Sequence, residues 1–283
     1  MEHTEQAMFG IRGRTVVVTG CCGALGAGLC PILAQLGASV ACLGHDREKS
    51  VRLAREIAEQ TGGTARGYAA ELADERSVAS AFAEIYGDFG SVWGLVHTAG
   101  ITHVRFLREM DIENWQRVMD VNAKGTLLCD KYAEKYMERQ RAGRIVNISS
   151  PASAQGKPGY TAYTASKAAV DGITKCLSQE WGRMGITVNA VWPSYMPGVM
   201  NRSQWGAEAD RREREMASAN PQGRNCSAEL MSGLLVFLLS DSSSFVNGQI
   251  IACDGGWNAG HFTQALPQDR YADEMTEAPH GGQ

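Results

Sequence analysis

The chain has 283 residues, 44% of them apolar, and a net charge of −4 with an isoelectric point near 5.9. That balance argues against nucleic acid or an anionic membrane surface as a partner, and no apolar run is long enough to cross a bilayer. The opening MEHTEQAMFG lacks a signal-peptide pattern, and the eight cysteines form no Cys-x-x-Cys pair, so they read as reduced thiols of a cytoplasmic protein.

In chain order, RTVVVTG (14–20) reads as a buried strand and 24–36 as a helix stopping at Gly37. A strand at 39–44, an amphipathic helix at 46–63 and a weaker strand at 64–72 follow. A helix at 74–87 leads to a strand at 91–100. The pattern continues with a helix over about 111–138, a strand at 143–150, a helix over about 160–182 and a strand at 185–193. A helix at 227–240 and a strand at 248–256 close the body. Seven apolar strands alternating with helices predict an α/β fold, a single parallel sheet covered on both faces. The expected divisions are an extension at 1–9, a body at 10–258 and a polar tail at 259–283. Residues 194–226 are a long mixed insertion, the kind of connection that often forms a lid over a site.

Two stretches carry chemistry. TGCCGALG (19–26) is a glycine-containing turn between the first strand and the first helix. There, free N–H groups and the helix dipole favour a pyrophosphate. In YTASK (163–167), Tyr163 and Lys167 stand four residues apart and share one helical face. That spacing suits either a satisfied polar pair or a proton donor beside the group that adjusts it.

These residues resemble the short-chain dehydrogenase/reductase family, whose fold is a Rossmann-type doubly wound sheet. The family's T-G-x-x-x-G-x-G is matched at Thr19, Gly20 and Gly26, with Ala24 in place of the middle glycine. NISS with Ser150, VNAKG with Asn122, and Tyr163 with Lys167 match its catalytic set in order. The resemblance implies hydride transfer between a nicotinamide and a carbonyl carbon. Tyr163 is then the acid/base and Lys167 its adjuster and ribose ligand. Ser150 orients the substrate oxygen, and Asn122 holds a relay water. A phenol ordinarily titrates near 10, so a nearby ammonium and the cationic ring are expected to favour the phenolate.

For the cofactor, the resemblance implies contacts from Gly20, Cys22, Ala24, Leu25 and Gly26 at the turn. Further contacts are implied from Glu71, Leu72, Ala99, Gly100, Pro193 and Met196, besides Tyr163 and Lys167. The family's NAD-selecting carboxylate is absent at Gly44, while His45 and Arg47 stand nearby, so NADP is expected over NAD. HTAG (97–100) departs from N-N-A-G at His97 and Thr98. PSYMPG (193–198), after the strand at 185–193, departs from the family's P-G and its later threonine, with Ser194 for glycine and Gly198 for threonine. Ser153, Gln155, Tyr160, Tyr195 and Met200 are the expected substrate contacts, for a small polyol or sugar-like secondary alcohol. No metal is expected. A homotetramer pairing the helices at 111–138 and 160–182 is implied. The alternatives are a ketoacyl thioester reductase, with Arg105, Arg108, Arg139 and Arg141 meeting an acidic carrier, or a nucleotide-binding scaffold without turnover.

Overall fold

The apolar run Thr15–Thr19 forms β1, and all five residues are buried. Val16 and Val18 pack into one core and Val17 into another, as the two-residue period of a strand requires. The computed structural model, which describes residues 9–260, places β1 in the interior of a seven-stranded parallel sheet, third from one edge. The other strands are β2 (Ser39–Gly44), β3 (Thr64–Ala69), β4 (Gly94–His97), β5 (Gly143–Ile148), β6 (Ile186–Pro193) and β7 (Ile250–Cys253). Their order is β3-β2-β1-β4-β5-β6-β7. The order reverses between β1 and β4, which opens a crevice beyond the carboxyl ends of these strands.

Helices α1 (Ala24–Gln35), α2 (Arg47–Thr61) and α9 (Ala228–Leu239) cover one face through Leu29, Leu33, Ile57, Leu235 and Leu239. Helices α3 (Glu75–Phe89), α5 (Gly125–Gln140) and α6 (Thr161–Trp181) cover the other through Phe82, Ile85, Leu128, Met137 and Leu177. Local chemistry sets where α2 and α3 start. The carboxylate of Asp46 accepts from the Lys49 N–H, and that of Asp74 from the N–H groups of Arg76 and Ser77. Helix α1 begins at Gly23 with no side-chain acceptor.

The predicted elements are all present, with shifted ends. The expected strand 91–100 keeps only Gly94–His97 in the sheet, because Thr98 turns its hydroxyl to the Thr19 carbonyl at 2.6 Å. The expected helix at 111–138 is α4 (Ile112–Met119), a π-helical stretch at Asp120–Lys124, and α5. The insertion folds as α7 (Val199–Trp205), a short 3₁₀ turn and α8 (Ala209–Ala219). No helix was expected there, because among the α8 residues only Ala209 is buried and no apolar stripe marks it. The expected extension and tail lie almost wholly outside the described residues. Among the described residues, no helix is long and apolar enough to cross a membrane.

Candidate active site

The turn after β1 is shaped for close approach. Gly20 has φ +62°, and a Cβ there would sit 2.7 Å from the Ala99 Cα at the end of β4. Any side chain would therefore be both strained and obstructed. Cys22, Gly23 and Ala24 are exposed at the start of α1, while Leu25 and Gly26 are buried. The uncapped N–H groups of that first turn, with the dipole behind them, fit a pyrophosphate. Cys21 is buried behind the turn, its Sγ 3.7 Å from that of Cys22 and 3.5 Å from Ser50 Oγ.

The missing carboxylate at the end of β2 has a steric cause. A Cβ on Gly44 would lie 2.4 Å from Ser50 Oγ, which is held by the Asp46 carbonyl at 2.9 Å. His45 is exposed beside it. Arg47 is also exposed, and its guanidinium pairs with both oxygens of Glu84 on α3. Glu71 is exposed and turns one carboxylate oxygen to the Ala73 N–H at 3.2 Å. Leu72 is buried against Gly125, where α5 begins.

The HTAG segment ties β4 to β1. His97 is fully buried with Nδ1 3.1 Å from Thr19 Oγ1, and the Ala99 N–H donates to the same hydroxyl at 3.3 Å. Burial first, and then the charge of Lys167, pull His97 down to about 3, so its ring is neutral. On β5, Asn147 donates to Asp130 Oδ2 of α5 at 3.0 Å and to Thr174 Oγ1 of α6 at 3.2 Å. Burial lifts Asp130 to about 7 against that hydrogen bond. His97 Nε2, Asp130 Oδ1 and Asn147 Oδ1 are buried without hydrogen-bond partners. Asp130 was missed in the sequence. Its signal was its spacing from Thr126, Ala133 and Met137, which all face inward on α5.

The four catalytic candidates converge beyond β4 and β5. Ser150 follows β5, and its Oγ accepts from the Ala152 N–H at 3.1 Å. Tyr163 and Lys167 project from one face of α6, with Lys167 Nζ 5.8 Å from the centre of the Tyr163 ring. Lys167 donates to the Ile148 carbonyl at 2.7 Å. Asn122 sits in the π-helical stretch, where its Oδ1 accepts from the Ile101 N–H at 2.8 Å and its Nδ2 donates to Ser166 Oγ at 2.9 Å. Its carbonyl is taken by Thr126 Oγ1 at 2.7 Å. Gly100 lies beneath both, a Cβ there coming 3.4 Å from Asn122 Oδ1 and 3.6 Å from Lys167 Nζ.

The titration of the pair differs from the expectation. Burial raises Tyr163, and the Ser150 hydrogen bond only partly opposes it. Burial lowers Lys167 to about 8, with Asp171 pulling the other way. Burial thus outweighs both the Ser150 hydrogen bond and the nearness of Lys167, so the phenol holds its proton.

The expected substrate residues divide. Tyr160 packs edge-on to Tyr163, ring centres 6.3 Å apart. Tyr195 stacks on Trp205 of α7 at 5.2 Å and reaches Glu213 Oε1 of α8 at 3.4 Å. Ser153 is instead tied to Asp171 at 2.5 Å, and the same carboxylate accepts from Trp192. Gln155 is bound to Asn258 Oδ1 at 2.6 Å. Met200 is exposed on α7. Pro193 ends β6 opposite Cys253, and Met196 packs its side chain on the α1/α9 core. A Cβ on Gly198 would lie 2.9 Å from the Ala24 Cβ, so the two departures from the family pattern meet.

Comparison with known proteins agrees with this geometry. The family model described as Enoyl-(Acyl carrier protein) reductase (adh_short_C2) matches residues 22–258. The 2-dehydro-3-deoxy-D-gluconate 5-dehydrogenase of Bacillus subtilis (strain 168) is 33% identical over 249 residues, covering 88% of this chain and 96% of that one. The 3-oxoacyl-[acyl-carrier-protein] reductase FabG of Aquifex aeolicus (strain VF5) is 32% identical over 246 residues, covering 87% and 98%. A gluconate 5-dehydrogenase from Burkholderia cenocepacia J2315, solved in complex with NADP and tartrate, superposes with a TM-score of 0.84. It is 29% identical, and the match covers 90% of this chain and 99% of that one. The chain belongs to the short-chain dehydrogenase/reductase family. It is a nicotinamide-dependent oxidoreductase that interconverts a secondary alcohol and a ketone.

Proposed function

We propose that the protein oxidises a small polyol or sugar-like secondary alcohol, or reduces its ketone, with NADP preferred over NAD. The carrying observation is that Ser150, Tyr163, Lys167 and Asn122 meet beyond the carboxyl ends of β4 and β5, beside the crevice where the strand order reverses. In oxidation, a hydride leaves the carbinol carbon and a proton leaves its hydroxyl. The nicotinamide supplies the hydride acceptor when bound. Ser150 orients the substrate oxygen and Tyr163 exchanges the proton with it. Lys167, near its own titration point, passes that proton on beside Asn122. Pyrophosphate contacts fall to Gly20, Cys22, Ala24, Leu25 and Gly26, and nicotinamide contacts to Pro193 and Met196. Glu71 and Leu72 fall to the adenosine side, and Ala99 and Gly100 to the stretch between the Gly20 turn and Lys167.

Two observations support NADP. A side chain at Gly44 would have to displace the Ser50 hydroxyl, the NAD-selecting carboxylate is absent there, and exposed His45 adjoins it. Arg47 can contribute only by loosening its pair with Glu84. The hydroxyl-lined mouth formed with Tyr160 and Tyr195 suits a polyol. The thioester reading loses its basic patch. Arg105 bonds at the cleft mouth beside Gly159, while Arg141 reaches Arg183 at the opposite end of the sheet. The reading extends to a cytoplasmic homotetramer with 10–258 as its catalytic body. Exposed Leu127 on α5 and Leu230 on α9 offer apolar surface for it.

The test is a fluorescence titration with NADPH and NADH, followed by turnover of polyols by the protein and by Tyr163→Phe. Tyr163→Phe should lose at least about 100-fold in kcat with cofactor binding kept. Full activity in that variant refutes the mechanism, and binding of neither cofactor points to the scaffold.

A further inference from the structure

We infer that the substrate is a hydroxy carboxylate and that Lys157, seconded by Arg212, anchors its carboxylate at the cleft mouth. This rests on the function proposed above and narrows its substrate class.

Lys157 lies in the loop between β5 and α6, and Arg212 lies on α8 of the insertion. The Lys157 ammonium sits 4.6 Å from the centre of the Tyr160 ring, and that ring packs edge-on to Tyr163. Arg212 lies 5.8 Å from the Trp205 ring, which in turn stacks on Tyr195. Two cations from separate parts of the chain thus converge on one aromatic and hydroxyl-bearing rim. Arg212 is felt on the Lys157 side: burial and then the charge of Arg212 lower Lys157, and Arg212 also opposes the burial that raises Tyr160.

Nearby carboxylates are engaged elsewhere. Glu208 is shared by Arg211 and Arg212, and Glu213 is held by Arg202 at 2.6 Å. Among the described residues Lys157 makes no ion pair. A like-charged pair drawn together without an anion is unfavourable unless a ligand supplies one. Glu208 and Glu215 together offset Arg211 and Arg212, so the unmet charge is close to that of the Lys157 ammonium alone. That suits a carboxylate better than a phosphate dianion.

Distance sets the ligand's length. The two ring spacings cap the separation of the Lys157 ammonium and the Tyr163 ring at about 11 Å. A chain of four to six carbons with a carbinol near one end and a carboxylate at the other fits within that limit, given hydrogen bonds of about 2.8 Å at each end.

The experiment compares matched acids and alcohols as substrates of the full chain with NADP: D-gluconate against D-glucitol, D-galactonate against galactitol, and threonate against threitol. At least one acid should exceed its alcohol by about 10-fold or more in kcat/KM. Lys157→Met should lower that acid's kcat/KM by about 10- to 100-fold, mainly through KM, with the alcohol within about 2-fold. Lys157→Arg should recover most of the loss, and Arg212→Gln should show a smaller loss of the same kind. Equal losses on acid and alcohol, or a wild-type preference for the alcohols, overturn the anchor while leaving the oxidoreductase reading intact. Preference for glucitol 6-phosphate over every acid overturns the carboxylate assignment. Turnover of none of them, with cofactor binding retained, overturns the polyol reading and this inference together.

Discussion

Replacing Asp130 with asparagine should stabilise the protein, and by more as pH rises. Asp130 is fully buried and titrates near 7 in the folded chain, against 3.8 for an ordinary aspartate. At about 1.36 kcal/mol per pH unit, ionising it costs about 4 kcal/mol more in the folded state than in the unfolded one. Because the folded state holds this proton more tightly, stability falls as pH climbs from about 4 to about 7 and is flat above that. The cost is about 1.6 kcal/mol at pH 5 and about 4 kcal/mol at pH 8. Asp130→Asn keeps the acceptor for Asn147 Nδ2 and removes the charge from a carboxylate whose other oxygen is buried without a partner. Urea unfolding of both proteins at pH 5 and pH 8 should show the variant's advantage widening by about 2–3 kcal/mol. An offset that is the same at both pH values, or a variant less stable at pH 8, would refute the reasoning.

His97 predicts the opposite slope. Its folded value of about 3 lies below the usual 6.5, so the unfolded chain gains a proton first and stability is lost as pH falls below about 6.5. His97→Asn should remove about 2 kcal/mol of the acid sensitivity between pH 7.5 and pH 5, read from urea midpoints; an unchanged slope contradicts it. Gly198→Ala should weaken cofactor binding about 10-fold by pressing on Ala24, and Ala24→Gly in the same chain should restore it; additive losses would show that the two positions do not touch.

Most of the fold was legible because its strands are apolar runs and its helices carry stripes. The four candidate catalytic residues were legible because each sits in a short local pattern. Other features depend on residues far apart in the chain. Glu84, which occupies Arg47, comes from a different helix, and Ser50, which forces glycine at position 44, reaches back from the next turn. Lys157 and Arg212 belong to a loop and to a helix without an apolar stripe. Ser153 and Gln155 looked available in sequence but are held by Asp171 and Asn258.

The widened turn at Asp120–Lys124 changes how the chain counts. There the Gly125 N–H reaches the Asp120 carbonyl five residues back, one more than an α-helix allows. One surplus residue shifts phase by about 100°, so α4 and α5 are out of step although they run on in one line. Deleting a residue in this stretch would leave a good helix while swinging Asn122 off Ile101 and Ser166. A surface loop can lose a residue and keep its function. Between Asp111 and Gln140, length itself holds a candidate catalytic residue in place.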